Sequence, residues 1–469
     1  MFIDDDDAAM TVNRRKFVSA FGAGAAWAAC GSLLAGATGR RFVPHHRPSA
    51  KSVILLFMSG GPSQVDLLDP KPELAKFAGQ DVPKSLAERV PNIKRAGLQN
   101  LMASPWEFDR HGESGLPLSS LVPELSRHAD DLCVIRSMTH RNPVHGPGEC
   151  VALTGTATGK RPSLGAWATY GLGSETEELP EFIAMNLYTS GMQYPQASGW
   201  GTGFLPARHQ GTVVDPDQGI RNVEMPPDTT RNRRRDELAT LQILNQSFLN
   251  TVGRHSELEA RIRSYEMAFR MQTAAPELFA LQSESAATQN LYGLDSDKTK
   301  VVGQSCLLAR RMVERGVRFV QIRVGGWDAH GNIKGNHTTM AARTDKPIAG
   351  LIADLKQRGM LDETLIVWGG EFGRTPTMEG RGNGRDHSPT AYSVWLAGGG
   401  TVGGTVVGAT DPIGYTVTSR PVGPSDLHAT VLYALGIDSK QLVYNHHGLA
   451  ETPLGITSGA PALEVFGGS

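Results

Sequence analysis

The most regular pattern along the chain is a set of short apolar runs, each closing in a glycine-rich or polar loop. SVILLFM (Ser52 to Met58), DLCVIRSM (Asp131 to Met138), GVRFVQIRV (Gly316 to Val324), TLIVW (Thr364 to Trp368) and AYSVWLA (Ala391 to Ala397) are rich in β-branched and aromatic residues. Such runs read as strands buried in a core. Helix-spaced segments precede two of them, with Gly316 and Gly359 placed just past the helix ends. Recurring helix-then-strand units predict a mostly parallel sheet covered by helices on both faces. Both TLIVW and AYSVWLA are read as interior parallel strands of it. LSSLVPELSRHADD predicts a further helix. SDLHATVLYALGID predicts another, started by Ser425 or Asp426, with His428 in a capping or core role.

From about Arg231 to Glu284 the periodicity turns helical, with charge pairs at i,i+4 and apolar residues at helix spacing. This segment, about 231–292, is read as a helical insertion packed on the sheet, flanked by PPDTTRN and ESAATQN. Its Met and Phe positions read as core, and no cluster in it carries chemistry. The aromatic, glycine-rich stretch from Tyr188 to Phe204 reads as packing, with sugar contact as the alternative.

Composition changes this picture little, but it narrows the partners. At 469 residues, one large α/β domain with insertions, about 50–455, is favoured over several small ones. Lys+Arg total 46 against 47 Asp+Glu, a net charge of −1, so the basic excess typical of nucleic-acid binding is absent. Cys133, Cys150 and Cys306 are far apart in apolar contexts and read as core residues. Asn13-Arg14-Arg15-Lys16-Phe17 followed by a weakly apolar, small-residue run has the layout of a twin-arginine export signal, about 1–40. The alternative is an ordinary buried helix. Met10 suits the true start better than Met1, and Trp27 argues against lipid attachment at Cys30. No later stretch is apolar for long enough to span a bilayer. A periplasmic, extracytoplasmic protein that exits already folded is expected, which suits one carrying a cofactor.

Ligands in open α/β sheets bind beyond the carboxyl ends of the strands. There the chain places polar clusters: Asp66 in SGGPSQVDLLDPKPEL, Asp328 and His330 in GGWDAHGN, Glu371 and Arg374 in GGEFGRTP, and Asp386 with His387 in GRDHSP. Asp69 bends the DPKP turn or joins the site. The SGGPSQ loop lacks the GxxxxGK[ST] pattern of a phosphate-cradling loop. HRNPVHGPGECVALTG adds His140, His145 and Glu149 where a helix begins near Pro147; a helix start facing a cleft favours anions. The alternative is that these histidines only bind loop carbonyls. Mixed histidine and carboxylate ligands suit zinc, manganese or iron, and carboxylate-rich ones magnesium or calcium. Scattered loop polars remain the alternative until the strands are known to be neighbours.

The motifs MSGGPSQVDLLDPKP, HGPGECVALTG, PSLGAWATYGLG, CLLARRMVERGVRF, GGWDAHGN, VWGGEFGRTP, GRDHSP and SVWLAGGG resemble a bacterial family known as domain of unknown function 1501. That family typically carries twin-arginine signals and is grouped with the alkaline phosphatase and sulfatase superfamily. The resemblance spans nearly the whole mature chain. It implies a doubly wound, alkaline phosphatase-like fold and, usually, two metals bridged by a nucleophile that attacks a phosphate or sulfate ester. It places His145 in the nucleophile's slot, where Ser, Thr or a formylglycine-forming Cys is usual, leaving His145 as nucleophile or ligand. Asp328 and His330 resemble the superfamily's metal pair. Glu371 stands where a two-residue pair is usual, and His387 resembles the late metal histidine. The expectation is a metal-dependent hydrolase of small-molecule or glycan sulfate or phosphate esters. In it Asp66, Asp328, His330, Glu371, Asp386 and His387 hold a divalent metal. His145 or Glu149 supplies the attacking group or base, and Arg374 clamps an oxyanion or serves as a salt-bridge residue. The alternative is a non-catalytic binding protein that has lost the nucleophile. Replacing both Arg14 and Arg15 with Lys is expected to retain the precursor in the cytoplasm, as read by cell fractionation.

Overall fold

The computed structural model describes residues 43–81, 84, 100–188, 199–219, 230–252, 266–267, 269–271, 276–379 and 382–468. The expected export signal, with Met10 and Cys30, lies outside them, as do most of PPDTTRN and residues 189–198 of the aromatic, glycine-rich stretch.

The apolar runs form one sheet. In chain order its strands are β1 (Ser52–Met58), β2 (Leu132–Met138), β3 (Phe182–Leu187), β4 (Thr212–Val213), β5 (Phe319–Val324), β6 (Thr364–Gly369), β7 (Tyr392–Ala397) and β8 (Thr405–Val407). They lie in the order β8-β2-β7-β6-β1-β5-β3-β4. β1 is central and pairs in parallel with β5 (Val53 opposite Phe319) and with β6 (Ser52 opposite Thr364). Every residue of β1 is buried, as an unbroken apolar run between two helical layers requires.

The helices cover both faces. α1 (His145–Thr154), α2 (Leu164–Leu172) and α5 (Pro424–Ala434) meet the face that carries Leu55, Phe57, Val367 and Val394. α3 (Lys300–Glu314) and α4 (Ile333–Gln357) meet the face of Ile54, Leu56, Val320, Ile322 and Trp368. The doubly wound, mostly parallel α/β architecture read from the sequence is therefore the observed one.

Particular elements differ from their sequence reading. AYSVWLA forms β7, which is antiparallel to both neighbours, with Trp395 opposite Trp368 on β6 and Val134 on β2. Trp368 and Trp395 stack with ring centroids 6.1 Å apart. Among the described residues no crossover helix separates β6 from β7, so the chain turns back at the edge where β6 ends. The loop's Glu371, Arg374, Asp386 and His387 therefore stay at the carboxyl edge of the parallel strands.

LSSLVPELSRHADD yields only a tight helical segment, Leu125–Asp131, kinked at His128. Its opening N–H groups, on Glu124 and Leu125, donate to the Asp345 carboxylate at 2.8 Å each. α4 starts at Ile333, earlier than its apolar pattern suggests. The Asn332 side chain caps it by accepting from Gly335 N–H at 3.0 Å, and Pro347 lies inside it. His337 is thus a helix residue.

The insertion contains a helix, Arg231–Val252, but Ile243, Leu244 and Phe248 on it are exposed, so Phe248 is not core. Gly423 caps α5, its N–H donating to Asp426 at 2.7 Å, and His428 is buried against the Ala152 carbonyl at 2.7 Å. Cys133, Cys150 and Cys306 are all buried.

Leu56→Ala, in the central strand, is expected to cost about 2–5 kcal/mol of stability. Leu449→Ala, on a residue 65% exposed, should cost within about 0.5 kcal/mol. Denaturant midpoints compare the two.

Candidate metal centre

The carboxyl edge gathers loops that sequence distance conceals. The loop after β1 carries Ser59, Gly60 and Gly61; α1 follows β2 and opens on His145. The loop after β5 brings Asp328 and His330, and the long β6–β7 loop brings Glu371, Arg374, Asp386 and His387. Gly60 adopts φ +114°, and a Cβ on it would stand 2.4 Å from the backbone nitrogen of Asp328. A side chain there would push the β5 loop out of place.

Asp328 is the meeting point. Its Oδ2 lies 3.2 Å from His145 Nε2, and its Oδ1 lies 3.2 Å from His330 Nε2 and 3.5 Å from His387 Nε2. One ligand atom from each of these four residues falls within 4.8 Å of all the others. The far nitrogen of each ring faces an acceptor. His145 Nδ1 donates to Glu371 Oε1 at 2.6 Å, His387 Nδ1 to the Pro143 carbonyl at 2.6 Å, and His330 Nδ1 to the Glu379 carboxylate.

Those bonds place the neutral-ring protons on Nδ1 and leave Nε2 lone pairs aimed at Asp328. The Nε2 atoms of His145 and His387 are buried with no hydrogen-bond partner. Lone pairs facing a carboxylate at such distances repel, and a cation between them removes the conflict. The donor set, imidazoles plus one carboxylate, therefore fits a divalent metal of the zinc type.

A proton on His145 can take part of that role. Burial works against a charged His145, but Asp328 and Glu371 outweigh it and raise its pKa to about 9. Burial likewise opposes an ionised Asp328, yet His145, His387 and Arg374 hold its pKa well below the usual range. His387 is shifted down, chiefly by burial. Phe372 packs against the His145 ring at 5.0 Å and the His387 ring at 4.5 Å between centroids, limiting their rotation. His330, 41% exposed at its side chain, and Asp328, at 27%, form the open side.

Residues 50–463 match a family model described as a protein of unknown function, DUF1501. The chain belongs to the DUF1501 family. No curated protein matches it by sequence. Among solved structures, a phosphonate monoester hydrolase from Silicibacter pomeroyi is 13% identical, covering 89% of this chain and 77% of its own, at a TM-score of 0.38. A Pseudoalteromonas sulfatase is 13% identical, with 88% and 71% covered, at 0.36. The alkaline phosphatase of the Antarctic bacterium TAB5 is 10% identical, with 82% and 98% covered, at 0.34.

Within this DUF1501 chain the remaining candidates separate. Glu371 is fully buried beside His145 but outside the four-residue group; its Oε1 also accepts the Gly60 N–H at 2.9 Å. Asp386 accepts its neighbour His387 N–H at 2.7 Å and joins His330 and Glu379 in a second, more exposed group. Asp66 sits apart from both groups. It is fully buried against Arg385, with bonds of 2.8 and 3.1 Å, and takes a 2.6 Å bond from Ser63. Burial pushes its pKa up, but Arg385 and Ser63 prevail and lower it.

Arg374 is buried and already committed. It bonds the Gly60 carbonyl, the Gly61 and Arg385 carbonyls at 3.0 Å each, and Asp328 at 2.7 Å. It is a cross-link of the site and not an exposed oxyanion clamp. Glu149 binds Ser59 Oγ and forms a 2.7 Å ion pair with Arg323; burial first, then the charge of Glu371, raises its pKa. His140 holds the Glu371 carbonyl at 2.5 Å, and Asp69 pairs with Lys71 at 2.9 Å, both binding loops together. Burial lowers the His337 pKa to about 3; the ring accepts the Ser63 N–H at 3.0 Å.

Sequence reading missed Glu379, Pro143 and Arg385. Glu379 was findable as the remaining acid of the β6–β7 loop. A backbone carbonyl leaves no such trace.

Arg385→Met would strand the Asp66 charge and is expected to destabilise by about 3–5 kcal/mol near neutral pH. Asp66 has a lowered pKa, so the pair's contribution exists above the usual carboxylate value of 3.8 and is lost as pH falls through the folded value. The gap between variant and wild type in denaturant titrations should therefore close in acid.

Proposed function

We propose that this protein is a metal-dependent hydrolase of sulfate or phosphate esters, exported in its folded state by the twin-arginine machinery. The observation that carries the reading is the convergence of three Nε2 atoms on the Asp328 carboxylate with their Nδ1 atoms each tied to an acceptor. The motif resemblance to the alkaline phosphatase and sulfatase superfamily supports the reaction class. The paired arginines at Arg14-Arg15 support the address.

His145, Asp328, His330 and His387 would hold the ion, a divalent metal of the zinc type. Bound there, a divalent metal neutralises ester oxygens, polarises phosphorus or sulfur and acidifies water. The chain's own groups arrange that chemistry. Arg374 balances the Asp328 charge from beneath, and Glu371, Glu379 and Pro143 fix the rings. The exposed flank of His330 and Asp328 leaves a side through which a small-molecule or glycan ester reaches the centre. His145 acts as a ligand in this reading, because its Nε2 belongs to the cluster and its Nδ1 to Glu371.

One observation favours a second reading, a non-catalytic metal-binding protein of the same fold. The slot expected for a nucleophile holds His145, and neighbouring hydroxyls are engaged elsewhere: Ser59 with Glu149, Ser63 with Asp66, and Thr375 with the Thr377 carbonyl. Metal analysis of purified protein, followed by aryl sulfate, phosphate and phosphonate assays with each metal, separates the two. Bound metal with turnover that is abolished in His330→Ala and His387→Ala is the expected result. Metal without turnover selects the second reading, and neither metal nor turnover sinks both.

A further inference from the structure

We infer that Glu371 is a positioning residue whose carboxylate, through Oε1, sets the tautomer and ring orientation of His145 toward a divalent metal. This rests on the metal reading above. Glu371 is fully buried, and its Oε1 accepts two bonds at once, from Gly60 N–H at 2.9 Å and from His145 Nδ1 at 2.6 Å. An oxygen already receiving the Gly60 proton must be an acceptor for the imidazole too, so the proton sits on Nδ1. The opposite tautomer would set the Nδ1 lone pair against that oxygen. Nε2 is thereby left as the basic atom, buried, without a hydrogen-bond partner, and 3.2 Å from Asp328 Oδ2.

The carboxylate is itself held in place. The Glu371 carbonyl is bound by His140 at 2.5 Å, and the next residue, Phe372, packs on the His145 ring at 5.0 Å. Backbone, side chain and imidazole thus move as one piece. The companion histidines use weaker anchors: His387 relies on a backbone carbonyl, and His330 on Glu379, whose side chain is 34% exposed. Of the three anchors, Glu371 alone combines a negative charge with full burial, so it most strongly raises ligand basicity at its histidine.

Zinc affinity, measured by competition with a chromophoric chelator, tests this in full-length mature protein. Glu371→Leu is expected to weaken zinc binding about 10–100-fold, and Glu371→Gln, which keeps a carbonyl acceptor, clearly less. Nitrogen-15 NMR of zinc-loaded wild type should show the His145 proton on Nδ1 and zinc on Nε2. A purely structural role would change the melting temperature of these variants while leaving affinity and tautomer untouched. A folded Leu variant with wild-type affinity overturns the proposal, as does a Gln variant that loses as much as Leu. Zinc on Nδ1 of His145 also overturns it, and that result requires no variant to fold. Wild-type protein that binds no zinc overturns the underlying metal reading before any substitution is made.

Discussion

The contact between Asp328 and Arg374 is the constraint on which the carboxyl edge depends. A carboxylate beside three imidazole lone pairs is costly in a partly buried site unless positive charge is close. Arg374, fully buried at 2.7 Å from Asp328, provides it permanently. The same guanidinium binds the carbonyls of Gly60 and Gly61, and the Gln64 side chain grips its backbone through bonds of 2.8 and 2.9 Å. One side chain therefore joins the loops after β1, β5 and β6. Gly60 is needed because a Cβ there would stand 2.4 Å from the Asp328 backbone nitrogen, and Gly61 because one would stand 2.7 Å from the Phe372 ring.

Around this charge pair the site is built in layers. Imidazoles face Asp328, acceptors stand behind the imidazoles, and a second ion pair, Asp66 with Arg385, closes the floor. The layering explains why so many acids and bases near the edge are unavailable for chemistry. Glu149, Asp66, Arg374 and Arg385 are each engaged by a specific ion-pair partner. What is left with open valence is the set of Nε2 atoms, the Asp328 oxygens and the buried Glu371 Oε2, a coordination surface.

Much of the architecture was legible from the chain. SVILLFM and TLIVW became strands because an uninterrupted apolar run has no polar face to expose; DLCVIRSM and GVRFVQIRV did so although they carry Arg136, Gln321 and Arg323. Asp328 and His330 were legible as candidates because they lie just past such a run, and His387 because it lies just before AYSVWLA. The direction of AYSVWLA was not, since hydrophobic pattern carries no information on strand polarity. Nor was the sorting of the carboxylates: Asp66 and Asp328 look alike in sequence, and only the arginine beside each distinguishes a closed ion pair from an open ligand.

By itself, the sequence determined which segments are buried, where the chain breaks at the sheet edge, and which residue types are delivered there. These are local properties, governed by side-chain periodicity and glycine placement. The tertiary structure decided which of those residues meet. It gave His145 the place in the cluster that Asp66 was expected to take, and made Arg374 a cross-link. It also placed Glu371 behind a histidine, in the loop from Gly370 to Ala391. The reason is physical: coordination and charge neutralisation depend on distances of about 3 Å between groups hundreds of residues apart. Strand order and loop direction set those distances, and no local pattern encodes them.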